Sequence, residues 1–287
     1  MRRFSVLLVV VLLSVGSLFG QRNAREDYEF GRYLLGQGLM REATTLTHNL
    51  STDYTPAALD TMRYLKGWTL YNTRQFSSAA TAFSEVAPTS HFYPKSTFYG
   101  VVCDLEEGNI EGAKQRLDGF ATTPAATQYQ ELVAFERGGI ALLEGHLEEY
   151  NLHRKEFTFN NYAFAEEERI LDEIASNPPR NLKPWVAGVA SAVVPGLGQI
   201  YAGNVGEGLA SFFAVGAFAA LTATSWSKAG TPLNWRTITY GTVGSLLYIG
   251  NIFGSIASVK IYYQKFEEIN HQAVMYSIHI PLRDIFE

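Results

Sequence analysis

The sequence predicts an all-α protein: stacked helix-turn-helix units followed by a small helical membrane domain. Three observations carry that prediction. A small residue recurs at a period close to 34 within residues 26–160. Charge almost vanishes over residues 184–259, where only Glu207, Lys228 and Arg236 remain. Between these regions, "SNPPRNLKP" at 176–184 carries three prolines that bar a continuous helix.

The chain opens "MRRFSVLLVVVLLSVGSLFGQ". Arg2 and Arg3 precede an apolar run, and Gly16, Ser17 and Gly20 supply small residues before Gln21. This layout predicts a secretory signal peptide over residues 1–20, so the residues after it are expected outside the cytoplasm. The only cysteine, Cys103, lies far from this region, which argues against a lipid-anchored form. It also excludes an internal disulfide and a cysteine metal cluster, and its neighbours Val101 and Val102 suggest a buried thiol.

The net charge of −5 argues against broad nucleic-acid binding. Residues 21–183 carry 16 Lys or Arg and 23 Asp or Glu, a balance of −7. An acidic region thus precedes an almost uncharged one. The expected domains are a helical repeat region at 21–175, a linker at 176–184, a membrane domain at 185–265 and a tail at 266–287.

Within the first region, "GRYLLGQGLMREA" runs from Gly31 to Ala43 and "GWTLYNTRQFSSA" from Gly67 to Ala79. "VVCDLEEGNIEGA" ends at Ala113, and Gly138 precedes Tyr150 by the same twelve residues. The endpoints Ala43, Ala79, Ala113 and Tyr150 are 36, 34 and 37 residues apart. Small residues in both helices of a pair let the backbones approach, and Gly38, Gly108 and Gly145 fall where the turns need permissive backbone. Phe83 and Leu117, one turn after Ala79 and Ala113, are placed to fill the groove between units. These residues resemble tetratricopeptide repeats, best at 64–88 and 98–120, with Gly67, Ala79 and Phe83 at the small, small and aromatic positions. Tyr150 and Lys66 depart from that pattern. The resemblance implies a surface for a protein or peptide partner. Tyr64, Trp68, Tyr71, Phe92, Tyr93 and Tyr99 are the aromatics available to line it, or to form core.

Three apolar stretches follow the linker, at 185–201, 209–226 and 237–259. The first and third would measure roughly 25 and 35 Å as helices, against a hydrocarbon core near 30 Å. Trp185, Tyr201, Trp226, Trp235 and Tyr262 stand near their ends, as interfacial aromatics do. Gly188, Ala192 and Gly196, and Gly250 and Gly254, permit close helix packing in lipid. Three full spans would leave only Lys260 and Lys265 on the cytoplasmic side, contrary to the positive-inside tendency. A re-entrant first segment, shielded by protein, leaves an even number of crossings instead.

That first segment contains "VVPGLGQIYAG". It resembles a small bacterial membrane domain bearing Pro-Gly-x-Gly-Gln-x-Tyr-x-Gly, matched by Pro195, Gly196, Gly198, Gln199, Tyr201 and Gly203. The resemblance covers about residues 184–265 and implies a compact helical membrane module without an assigned reaction. Pro195 and Gly196 are expected to end or kink a helix, Gly198 to permit close packing, and Tyr201 to sit at the interface. Gln199 is expected to satisfy backbone groups that the proline leaves open.

No catalytic, cofactor or metal constellation stands out. Gly196-Leu197-Gly198 begins like a dinucleotide fingerprint, but Tyr201 replaces its last glycine. His146, Glu149 and His153 share a helical face without zinc-hydrolase spacing, and Glu166, Glu167 and Glu168 read as a solvated face. The resulting expectation is a non-enzymatic envelope scaffold needing no cofactor. Helical spans favour the inner membrane, with exported repeats that bind a protein partner. The alternative is an oligomeric conduit, with Gln199, Glu207 and Asn251 along a polar path. The tail "AVMYSIHIPLRDIF" alternates in part and is expected to form a short strand.

Overall fold

The computed structural model describes residues 24–48 and 54–286. The expected signal peptide at 1–20 lies outside the described residues. The described residues form helices joined by turns and short loops, with no strand among them, as the sequence predicts. The chain divides into two compact units, one comprising Met1–Ala175 with Ala273–Glu287 and the other Ser176–Gln272.

In the first unit, antiparallel hairpins pair α1 (Ala24–Gly36) with α2 (Met40–His48), and α3 (Pro56–Asn72) with α4 (Phe76–Ser84). They continue with α5 (Tyr93–Glu106) and α6 (Ile110–Ala121), then α7 (Gln130–Leu143) and α8 (Leu147–His153). The helix α9 (Ala165–Ser176) follows. Each hairpin turn is built alike. Leu39, Gln75, Asn109 and His146 donate their N–H to the carbonyls of Leu34, Leu70, Asp104 and Ala141, at 2.8–2.9 Å. The residue before each takes the left-handed conformation: Gly38, Arg74, Gly108 and Gly145. Five residues after each of these come Ala43, Ala79, Ala113 and Tyr150, all fully buried.

The sequence-predicted packing glycines sit where helices touch. A Cβ on Gly67 would lie 2.5 Å from the Phe83 ring, and one on Gly31 would lie 2.5 Å from Leu65. Gly138 faces Phe157 and Tyr150. In the third hairpin the close approach falls at Gly100, under the Arg116 guanidinium that pairs with Asp104 at 2.9 Å. Leu117 is fully buried beside it.

The aromatics flagged in the sequence form a connected ladder. Tyr64 stacks on Phe92 with centroids 4.4 Å apart, and Trp68 meets Tyr99 edge-on at 4.8 Å. Tyr64 and Tyr99 are buried, whereas Trp68, Tyr71, Phe92 and Tyr93 are half-buried.

The C-terminal tail corrects the strand expectation. It is the last part of one long helix, α13 (Trp235–Phe286). Alternation of Val274, Tyr276 and Ile278 suggested a strand, but Tyr276 is 66% exposed. The buried aliphatics are Val274, Ile278 and Leu282, spaced by four, with Ser277 and Pro281 beside them, which is a helical stripe. This stripe packs in the core of the first unit. Gly139 has no side chain to block Ile278, His279 meets the edges of Tyr71 and Tyr99, and Phe286 packs on Phe98 and Tyr129. Tyr71 Oη and His279 Nε2 lie 2.5 Å apart, and Lys95 Nζ donates to the Phe286 carbonyl at 3.0 Å. All these contacts except Tyr129 come from first helices of hairpins. Burying the three aliphatics contributes roughly 1.5–3 kcal/mol each.

The second unit contains α10 (Pro184–Val193), α11 (Leu197–Tyr201), α12 (Val205–Ala229) and the earlier part of α13. The apolar stretch at 185–201 is therefore two short helices with a break, not one span. Pro184 stands in the first turn of α10, where its missing N–H costs nothing. Gly230, left-handed, ends α12 and starts the turn into α13. The two long helices then run antiparallel, with Gly241 against Thr222 and Gly244 against Phe218. Both α12 and α13 are long and apolar enough to cross a membrane.

Candidate functional site

The break at 194–196 is the chemically distinctive part of the second unit. Gly196 caps α11 with φ of 87°, a left-handed conformation that disfavours any side chain. A Cβ there would stand 1.9 Å from the Gly208 carbonyl oxygen, and one on Gly198 would stand 2.0 Å from the Ala187 carbonyl oxygen. Gly208 in turn admits Ile200 and the Gly196 carbonyl. Three backbones thus meet at contact distances that only glycine allows.

Breaking a helix in an apolar setting exposes backbone groups that need partners. Asn251 of α13 supplies two. Its Oδ1 accepts from the Gly196 N–H at 2.9 Å, and its Nδ2 donates to the Ser191 carbonyl at 3.3 Å. Ser191 Oγ accepts from the Gly198 N–H at 2.9 Å and lies 2.5 Å from Ser255 Oγ. The Tyr248 hydroxyl donates to the Ala192 carbonyl at 2.6 Å. Asn251, Ser191 and Ser255 are all buried.

Gln199 does not perform the expected role. It is buried, yet among the described residues its Oε1 has no hydrogen-bond partner, and its Nε2 lies near Gly254. Asn251 and Ser191 satisfy the break because the rigid α13 backbone brings a short amide directly opposite it. The signal for them in sequence was only that they are polar residues in apolar helices. Gly203 closes the motif as a turn: it is left-handed, and Asn204 donates to the Gln199 carbonyl at 2.8 Å. This is the hairpin turn of the repeats again, with Gly208 five residues on.

Tyr201 and two tyrosines of α13 bind the incoming linker. Lys183 donates its N–H to Tyr201 Oη at 3.2 Å, Arg180 to Tyr262 Oη at 3.0 Å, and Leu182 to Tyr263 Oη at 2.9 Å. Tyr263 Oη donates back to a carbonyl of Arg180 or Leu182. Behind them Leu182, Ala187, Ala202 and Val259 form a small core.

Burial pushes the Cys103 thiol up to about 12, so it is inert as a nucleophile. His146 Nδ1 stands 3.5 Å from carboxylate oxygens of Glu144 and Glu149, a group of possible metal ligands, but His153 is not part of it. Lys114 Nζ, 2.5 Å from the Glu144 carboxylate, already supplies the countercharge. Glu168 corrects the solvated-face reading: it is buried and accepts the Phe159 N–H at 2.8 Å. Burial raises its carboxyl to about 7, while Glu166 stays outside and pairs with Arg169. Glu136, which the sequence did not single out, is fully buried in α7 with neither oxygen partnered among the described residues, and burial holds its carboxyl well above the usual range.

The chain matches no family model, no curated protein and no solved structure.

Proposed function

We propose that this protein is a non-enzymatic, membrane-anchored scaffold of the cell envelope, whose tetratricopeptide-like repeats engage a protein partner outside the cytoplasm. One observation carries the reading. A single helix, α13, contributes a membrane-length apolar stretch to the second unit and the buried Val274–Ile278–Leu282 stripe to the core of the first. The continuity of that helix with the repeats' own core is what supports a membrane-held scaffold.

The second unit supports two membrane crossings, by α12 and α13, with a re-entrant α10–α11 segment. At 1.5 Å per residue α10 reaches roughly 15 Å, half a bilayer core. The bonds from residues 180–183 to Tyr201, Tyr262 and Tyr263 bring the entry and exit of the module to one end. Two crossings would leave the chain before α10 and the chain after residue 272 on the same side of the membrane. The buried polar residues support this anchor over a conduit, since Asn251, Ser191 and Ser255 are engaged by backbone and by one another.

Capture from crosslinked cells is expected to recover a reproducible partner that disappears when the repeats are deleted. Unchanged capture by the membrane module alone would overturn the scaffold reading. Labelling of engineered cysteines at Gly203, Lys228 and Tyr262, in a Cys103→Ala background, tests the crossings. Positions 203 and 262 should label from one side and 228 from the other.

A further inference from the structure

The linker end of the second unit gathers cations that nothing in the fold uses. Arg180 and Lys183 are held by their backbone N–H groups on Tyr262 and Tyr201. Lys260 and Lys265 flank Tyr262 on α13, two residues before it and three after. All four side chains are exposed. None forms an ion pair among the described residues, although Glu207 starts α12 near Tyr201 and Glu267 and Glu268 follow on α13. The opposite end carries only Lys228 and Arg236, with Arg236 over the Trp235 ring. Exposed apolar side chains stand close to the cations along the chain: Trp185 lies two residues after Lys183, and Ile261 follows Lys260.

We propose that this collar binds the phosphates of anionic lipid headgroups. The inference rests on the membrane reading above and adds which lipid the module selects. Long cationic side chains beside apolar ones at a span end place charge at headgroup depth while their stems remain in contact with hydrocarbon. That adjacency favours a lipid over free phosphate, which would need no apolar neighbour. The tyrosine hydroxyls give the collar its shape, because they fix linker backbone against α13 and so bring cations 80 residues apart in sequence to one rim. It also gives these cations a role on the exported side, where the positive-inside tendency would not place them.

The test reconstitutes the full chain into bilayers of phosphatidylcholine, alone or mixed with phosphatidylglycerol. Native mass spectrometry then reads the lipids retained by the released protein. The wild-type chain is expected to retain phosphatidylglycerol about fivefold above its share of the bilayer, the order expected for cations at a lipid surface. Joint replacement Arg180→Gln, Lys183→Gln, Lys260→Gln and Lys265→Gln should return retention to the bulk ratio. Lys228→Gln with Arg236→Gln should leave it enriched. Raising the salt during reconstitution of the wild-type chain should lower the enrichment, a readout that needs no variant to fold. A bulk ratio in the integrated wild-type chain, or salt-independent enrichment, overturns the collar, as does full enrichment in the four-site variant. Failure of the wild-type chain to enter either bilayer is a different result, which overturns the membrane reading and the collar with it.

Discussion

Gly196 and Gly208 meet backbone to backbone: a methyl group on Gly196 would sit 1.9 Å from the Gly208 carbonyl oxygen. No rotamer change relieves such a clash, because the obstructing atom is main chain. Gly196→Ala and Gly198→Ala are therefore expected to unfold the α10–α11 region, whereas Gly206→Ala and Gly216→Ala, with open space around them, should be tolerated. Thermal unfolding of the detergent-solubilised chain and protease protection check this. Equal stability of Gly196→Ala and Gly216→Ala would show that the close approach does not hold the module together.

Asn251 and Gln199 are expected to separate clearly. Asn251→Leu strands the Gly196 N–H and the Ser191 carbonyl in a buried apolar place, at a cost of about 1–3 kcal/mol for each unsatisfied group. Gln199→Leu removes a buried Oε1 that has no partner, so stability should hold or rise. Melting temperatures of the two variants, measured side by side, decide the matter. A larger loss for Gln199→Leu than for Asn251→Leu would return the break-satisfying role to the glutamine.

The different visibility of these features in sequence has a physical basis. Gly67 and Ala79 were legible because a small residue recurs at these places with the period of the hairpins, Phe83 because it lies one turn after Ala79, and the turn glycines Gly38, Gly108 and Gly145 because they recur as well. Gly100 was hidden because its neighbour is a guanidinium, Arg116, which reads as surface until Asp104 pairs with it. The tail misled through Tyr276: an exposed tyrosine between two buried aliphatics imitates strand alternation. The Pro-Gly motif announced a break, but Asn251 lies 55 residues from the Gly196 N–H that it accepts, beyond any local pattern. Glu136 sits in an apolar run whose periodicity says nothing about its carboxylate.

Arg74 offers a stabilising change. It occupies the left-handed turn position that glycine fills in the other three hairpins, with φ of 57°. Side chains are strained in that conformation by about 1–2 kcal/mol. Arg74→Gly relieves the strain but gives back part of the gain through the freer unfolded chain, leaving about 0.5–1 kcal/mol of net stabilisation. Gly108→Ala at the equivalent turn should destabilise by a similar amount. Chemical denaturation of the solubilised protein, followed by helical circular dichroism, reads both. A destabilised Arg74→Gly would mean that its side chain stabilises the turn more than the backbone strains it.

Glu136 makes stability depend on pH in a direction opposite to that of a salt-bridged acid. Burial raises its carboxyl in the folded state well above its unfolded value, so the folded chain keeps a proton that the unfolded chain releases. This contribution is most favourable below the ordinary carboxylate range near 4.3 and is lost progressively as pH rises toward the folded value. Glu168, raised to about 7, acts in the same sense over the window that ends there. Glu136→Gln retains shape and removes the titration. Its melting temperature should match the wild type near pH 4 and exceed it increasingly up to pH 8. The variant should still show the Glu168 component, which Glu136→Gln with Glu168→Gln would remove. A wild-type and Glu136→Gln difference that stays constant across this range would show that Glu136 is ionised in the folded protein and finds a counterion there.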